Sequence, residues 1–275
     1  MTATNAAAEY QAFRAFLAKA CGILLGDNKQ YLVASRLKKL MAEAQIDSLA
    51  VLVTRLQQTS NRRLKEAVVD AMTTNETLWF RDTHPFTVLK ERLLPELKDN
   101  RGPIKVWSAA CSSGQEPYSI SMMADEFVKA NPGSLRQGLN ISATDLSSTM
   151  LECCRQAEYD SLSLGRGLSP ARLKQFFDPL PAGVWQVKAE VRRRVRFQTL
   201  NLMDSYASLG KFNIIFCRNV LIYFSADLKA DILRRLHASL QPGGYLILGA
   251  SESLAGVKDL YEMVQCQPGI IYRAK

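Results

Sequence analysis

Residues Ile104 to Met123, IKVWSAACSSGQEPYSISMM, decide the fold. The segment opens as a short apolar strand, Ile104 to Ala109, set off upstream by Arg101-Gly102-Pro103. A loop of small residues follows, Ala110-Cys111-Ser112-Ser113-Gly114, and Gln115-Glu116-Pro117 then opens a helix. Proline suits a first helical turn, where its missing N–H has no partner to lose. Tyr118, Met122 and Phe127 recur at helical spacing behind it, flanked by Ile120 and Met123. Strand, small loop and helix form the first unit of a parallel α/β sheet, whose ligands sit at the carboxyl ends of the strands.

The loop has one glycine where the dinucleotide fingerprint G-x-G-x-x-G needs three. A diphosphate needs close backbone N–H groups, and a carboxylate at Glu116 would repel it. Glu116 suits a cofactor carrying an ammonium or a sulfonium. The competing reading is that this acid only complements the helix dipole.

Outside this segment, 275 residues allow one large or two modest domains with a sizeable core. Apolar content is 47%, and no run approaches the ~18 apolar residues of a membrane span. The start, MTATNAAAEYQ, lacks the basic-then-apolar pattern of a secretory signal. Six cysteines without a C-x-x-C pair, and two histidines, argue against zinc and for a reduced, cytoplasmic chain with no metal. The net charge of +9 fits nucleic acid, an anionic membrane or an acidic protein, and composition does not choose among them.

Residues 1–80 read as an all-helical domain. Tyr10, Phe13, Leu17 and Ala20 form one stripe, and Gly26-Asp27 breaks it. Leu32, Leu37, Leu40 and Met41 form a second; Asp47-Ser48 precedes Leu49, Leu52 and Leu56; Asn61 is placed to cap a helix through Leu64, Val68 and Met72. The polar faces carry Lys29, Arg36, Lys38, Lys39, Arg55, Arg62, Arg63 and Lys65, a basic excess that suits an acidic partner. The polar-aromatic stretch Thr73 to Asp82 (TTNETLWFRD) marks a junction where a site can form. A linker helix over 81–103 runs through Phe86, Leu89, Leu93 and Leu94 and is expected to end near Pro95.

Residues 104–275 continue the sheet. A strand from Leu139 ends in Thr144-Asp145, about 30 residues after the glycine loop, against the ~20 typical of a ribose-binding acid. A helix is expected from Ser147 to Glu158. Turn-rich sequence from Asp160 to Arg194 then reads as an insertion with short antiparallel strands, Arg192-Arg193-Arg194 being an exposed edge. Strands follow at Val195–Leu200, ending in Asn201-Leu202, and at Phe212–Cys217, ending in Arg218-Asn219. Ser225 caps a helix that Pro242-Gly243-Gly244 stops, and strands Tyr245–Gly249 and Ile270–Arg273 complete the domain. Each core strand delivers polar residues at its carboxyl end, the signature of a site.

TTNETLWFRD, SAACSSGQEPYSISM, ATDLS, NLMD and IFCRNVLIYF, in this order, resemble the CheR-type chemotaxis receptor methyltransferases over nearly the whole chain. Two positions depart from the family pattern: Gln115 replaces an acid, and Trp79 stands where phenylalanine is usual. The resemblance implies a Rossmann-like S-adenosylmethionine methyltransferase fold with an inserted antiparallel β-subdomain, preceded by the all-α domain. It implies methyl transfer from S-adenosylmethionine to glutamate side chains of chemoreceptors, leaving S-adenosylhomocysteine. By motif position, Asn75, Thr77, Arg81 and Ala109 contact the cofactor; Glu116 sits beside its methionine part; Asp145 holds the ribose; Asn201 and Leu202 flank the adenine. Arg218 and Asn219 line the cleft, and Arg81 and Tyr223 are the catalytic candidates. The basic N-terminal helices face the acidic receptor bundle, and the β-subdomain is a candidate site for a receptor C-terminal peptide. A monomer that neither enters a membrane nor binds nucleic acid is expected. The alternative is a non-catalytic module that senses S-adenosylmethionine or binds acidic helices.

Overall fold

The computed structural model of the chain describes residues 3–267 and 269–275. Four helices come first: α1 (Ala3–Cys21), α2 (Gln30–Glu43), α3 (Leu49–Gln57) and α4 (Arg62–Met72). Their apolar stripes meet in one cluster around Phe13, Leu17, Leu37, Leu52 and Val68. Ser48 caps α3, its hydroxyl accepting from the Val51 N–H at 3.2 Å. Asn61 precedes α4 but makes no cap. Its Nδ2 instead donates back to the Arg55 carbonyl and Gln58 Oε1, both at 2.9 Å.

The linker helix does not stop at Pro95. It runs from α5 (His84–Val88) through a π-helical turn (Leu89–Leu93) into α6 (Leu94–Leu97). A proline ring collides with the carbonyl four residues back in an α ladder, and the wider π turn just ahead of Pro95 makes room for it.

The chain then builds β1 (Ile104–Ala109), α7 (Gln115–Ala130), β2 (Leu139–Asp145) and α8 (Ser148–Gln156). The insertion follows: β3 (Glu158–Asp160), α9 (Ser161–Leu164), α10 (Pro170–Phe176), β4 (Phe177–Pro179), β5 (Val184–Val187) and α11 (Ala189–Arg192). It is an antiparallel sheet in the order β3-β5-β4, as expected, but it starts at Glu158 and carries three short helices that its turn-rich sequence hid. Arg194 is no exposed edge either: it pairs with Asp125 at 3.2 Å, both side chains largely buried.

The main sheet is completed by β6 (Val195–Thr199), β7 (Phe212–Cys217), helix α12 (Ala226–Ala238), β8 (Leu240–Leu248), β9 (Tyr261–Gln265) and β10 (Ile270–Ala274). Its order is β6-β2-β1-β7-β8-β10-β9. The first five strands in that order run parallel, and β10 and β9 close one edge antiparallel. Both faces are covered: Val106 packs into one core with Ile141 and Ile214, Trp107 into the other with Ile215 and Leu246. Two strand assignments differ from the sequence reading. Pro242-Gly243-Gly244 does not end α12, which has already closed at Ala238; it lies inside β8, where the register with β7 slips between Phe212 and Ile214. Such a bulge accommodates proline and glycine that a regular ladder would reject. β9 went unseen because it is an edge strand with only Tyr261 fully buried.

Leaving β1, the chain steps outward to β2 and β6, then returns to lay β7 on the other side of β1. A crevice is expected at the carboxyl ends where the strand order reverses.

Candidate functional site

A cleft of about 360 Å³ occupies that position. Its floor is Ala110-Cys111-Ser112 after β1, Asp145 at the end of β2, Asn201-Leu202 after β6 and Arg218-Asn219-Val220 after β7. The opposite wall comes from the helical domain, with Cys21, Leu24, Gly26, Lys29 and Arg36, and from the strap Met72–Thr77. Asn75, Thr77, Arg81, Glu116, Asp145, Asn201, Leu202, Arg218, Asn219 and Tyr223 all line it. Ala109 does not. It is buried in the core beneath, because the last strand residue faces the α12 side, and Ala110, turned out by a left-handed φ of 61°, takes its place.

Arg218 is the hub. Its side chain is 2% exposed, and its guanidinium donates to Glu116 Oε2 at 2.8 Å, to Asp82 Oδ2 at 2.7 Å and to the Arg81 carbonyl at 2.8 Å. Glu116 also accepts from the Ser108 hydroxyl at 2.8 Å. Its carboxylate therefore does more than complement the helix dipole: it is tied to the ends of β1 and β7. The three charges leave one carboxylate in excess beside the cleft. Arg218 also restrains a tight turn, since Phe80, Asp82 and Thr83 all hold positive φ, which non-glycine residues adopt only when their surroundings insist.

Asp82, although next to Arg81 in the chain, is thus taken by Arg218. Arg81 donates only to the Glu76 carbonyl, at 3.1 Å, and has no carboxylate partner among the described residues. Asp145 is buried, its Oδ2 accepting from Ser112 N–H at 2.7 Å and its Oδ1 from Ser147 N–H at 2.9 Å. Burial pushes its pKa above the usual aspartate value, and those backbone N–H groups offset part of the rise. Each oxygen keeps a lone pair for a ligand hydroxyl. Asn201 is a tie between the helices and the sheet: its Nδ2 donates to the Ala20 carbonyl at 2.8 Å and its Oδ1 accepts from Met203 N–H at 3.0 Å.

Other ties bind the two walls. Leu24 N–H donates to the Tyr223 carbonyl at 2.9 Å, and Thr149 Oγ1 to Asp70 Oδ2 at 2.6 Å. Gly22, at φ 76°, packs so tightly that a Cβ would lie 2.5 Å from Leu228 Cδ2. Ser112 Oγ holds the strap through the Asn75 carbonyl at 2.9 Å. Arg36 does the same, donating to the carbonyls of Met72 at 2.7 Å and Thr73 at 2.9 Å.

Arg36 therefore leaves the basic face assigned to it. Arg55 donates to the Ala44 carbonyl at 3.1 Å, and Lys39 and Arg62 pair with Glu43 and Glu66 at 3.8 and 2.8 Å. Lys29, Lys38, Arg63 and Lys65 have no carboxylate partner among the described residues. Sequence reasoning missed Arg36 and Ser112 as site residues; their only signals were a helical arginine and a small loop residue. Among the described residues, no cluster of His, Cys, Asp and Glu is arranged to hold a metal, and no helix is long and apolar enough to cross a membrane.

Comparison with known proteins follows the same division. The family described as CheR methyltransferase, all-alpha domain, matches residues 8–73, and CheR methyltransferase, SAM binding domain, matches residues 75–270. The chemotaxis protein methyltransferase Cher2 of Pseudomonas putida is 62% identical over 97% of this chain and 98% of its own. Chemotaxis protein methyltransferase 1 of Pseudomonas aeruginosa is 62% identical over the whole of both chains. A chemotaxis protein methyltransferase of Vibrio parahaemolyticus is 57% identical over 97% of each.

Proposed function

The chain belongs to the CheR methyltransferase family, and on that premise we propose that this chemotaxis protein methyltransferase esterifies glutamate side chains of chemoreceptors. The observation that carries the reading is one cleft that joins Asp145, the Glu116–Arg218 pair and the guanidinium of Arg81, which has no carboxylate partner among the described residues. Its residues fit S-adenosylmethionine. Asp145 has lone pairs for ribose hydroxyls, Leu202 and Asn201 flank an adenine, and Glu116 with the excess negative charge of its network suits the amino group. Asn75 and Thr77, which line the cleft from the strap, would cover the cofactor on that side.

When bound, the cofactor would supply a methyl group on a sulfonium, whose sulfur keeps the bonding pair and leaves as the neutral thioether of S-adenosylhomocysteine. A glutamate carboxylate, with a reference pKa of ~4.3, is ionised at neutral pH and needs no general base. Arg81 receives it through charge-assisted hydrogen bonds and orients one oxygen in line. The helical wall shields the nucleophile from water. Tyr223 lines the cleft wall, and its hydroxyl would be the group to face the transferring methyl. The exposed basic side chains of the helical domain dock the acidic receptor bundle, with the β-subdomain available to a receptor tail peptide; the enzyme acts as a monomer in the cytoplasm.

The test is transfer of labelled methyl to a chemoreceptor cytoplasmic fragment, followed by mild alkali. Methyl label released as methanol marks an ester and is the expected result; alkali-stable label or no incorporation refutes it. In calorimetry, Asp145→Ala should bind S-adenosylhomocysteine far more weakly while remaining folded; unchanged affinity removes Asp145 from the ribose site.

A further inference from the structure

The carboxylate of Glu252 lies in the loop after β8, outside every motif discussed above. Four backbone N–H groups converge on it. Oε2 accepts from Asn219 and Gly249, each at 2.8 Å, and Oε1 accepts from Val220 at 2.9 Å and Leu221 at 2.7 Å. Asn219 is left-handed, with φ 59°, and Val220 follows at φ −123°, ψ −35°. Successive N–H groups in such a turn form a concavity that holds an anion. Here the anion belongs to the chain itself. The same turn carries Arg218 at one end and Tyr223 at the other, and Asn219, Val220 and Tyr223 line the cleft.

We propose that Glu252 is a positioning residue: it sets the Arg218–Tyr223 turn, and with it the cofactor wall and Tyr223, without touching the cofactor. Three features carry this. The turn's backbone is strained at Asn219 and needs an external partner to hold it. Each carboxylate oxygen is used twice, so neither can be replaced by an amide nitrogen without setting donor against donor. And Gly249 is required by the same arrangement: a Cβ there would lie 2.7 Å from Glu252 Oε2 and 2.9 Å from the Asn219 nitrogen. Parallel pairing of β7 with β8, Cys217 against Leu248, brings the two loops together.

The inference rests on the methyltransferase reading, and its test separates the two. Wild type, Glu252→Gln, Glu252→Asp and Gly249→Ala are compared by thermal melting, by calorimetry with S-adenosylhomocysteine, and by steady-state methylation of a receptor fragment. Glu252→Gln and Gly249→Ala should both weaken S-adenosylhomocysteine and raise KM for S-adenosylmethionine by about tenfold or more, with KM for the receptor unchanged. Glu252→Asp should recover part of that loss. A variant that merely unfolds in part lowers the active fraction, and so kcat, while leaving KM and Kd unchanged; that outcome, or wild-type constants in a folded Glu252→Gln, overturns the proposal. If wild type itself fails to bind S-adenosylhomocysteine, the methyltransferase reading falls, and the proposal with it.

Discussion

Replacing Arg218 by methionine keeps most of the side-chain volume and removes the charge at the hub of the cleft. Glu116, its side chain 12% exposed, would keep only the Ser108 hydroxyl, whereas Asp82, 41% exposed, would be rehydrated. The Asp82 pair thus falls in the range of surface pairs, ~0–1 kcal/mol. Stranding the buried Glu116 is the larger effect, and breaking a buried pair from one side costs about 3–5 kcal/mol. At about 2–4 °C per kcal/mol for a chain of this size, Arg218→Met should melt roughly 6–20 °C lower. Glu116→Gln in that background removes the orphaned charge and should restore about 1–3 kcal/mol, read as coupling in a four-protein cycle by urea denaturation. S-adenosylhomocysteine affinity should stay low in the double variant, because Arg81 has lost the clamp on its carbonyl. Additive destabilisation, with coupling under ~0.5 kcal/mol, would refute the reasoning.

In the proposed ribose site Asp145 would accept both hydroxyls best when ionised, and burial raises its pKa. S-adenosylhomocysteine affinity should therefore be complete above that raised value and decline as pH falls through it, starting above the ~3.9 of an ordinary aspartate; calorimetry across pH should show this slope in wild type and a flatter one in Asp145→Asn. Receptor docking through exposed base should weaken steeply with salt, since such charges are screened over ~10 Å at 0.1 M. Lys38→Glu with Arg63→Glu should lower affinity for a receptor fragment at low salt and flatten that dependence, and salt-indifferent docking would exclude the basic face. All six cysteines are free thiols, with Cys21, Cys111, Cys154 and Cys217 buried. Burial raises the pKa of Cys21, Cys111 and Cys217, so an aromatic disulfide reagent should modify Cys153 and Cys266 first in the native protein and all six in denaturant.

The parts legible in the sequence are those where local pattern and tertiary environment agree. β1 and β7 are apolar runs between turn signals, buried on both faces, and their boundaries match the pattern. The helices α1 to α4 announced themselves by their stripes. Short elements did not: α9 and α11 span four residues each, too few for a period to appear. Polar roles were legible by position along the strands but not by partner. Asp82 sits next to Arg81 in the chain yet pairs with Arg218, because the positive-φ turn aims it at the end of β7. Arg36 read as surface base, although it clamps the strap at Met72 and Thr73.

Period, turn chemistry and the polar residues ending each strand were enough to establish an α/β sheet behind a helical domain, and where its cleft lies. These are properties of neighbours in the chain, and neighbours are what a sequence displays. Who neutralises whom inside the cleft was decided by the tertiary structure alone. The pairs Arg218–Glu116 and Glu252–Asn219 are made by parallel strands whose connection passes through other elements. A carboxylate shows its partner only when the sheet has put the two within hydrogen-bonding distance.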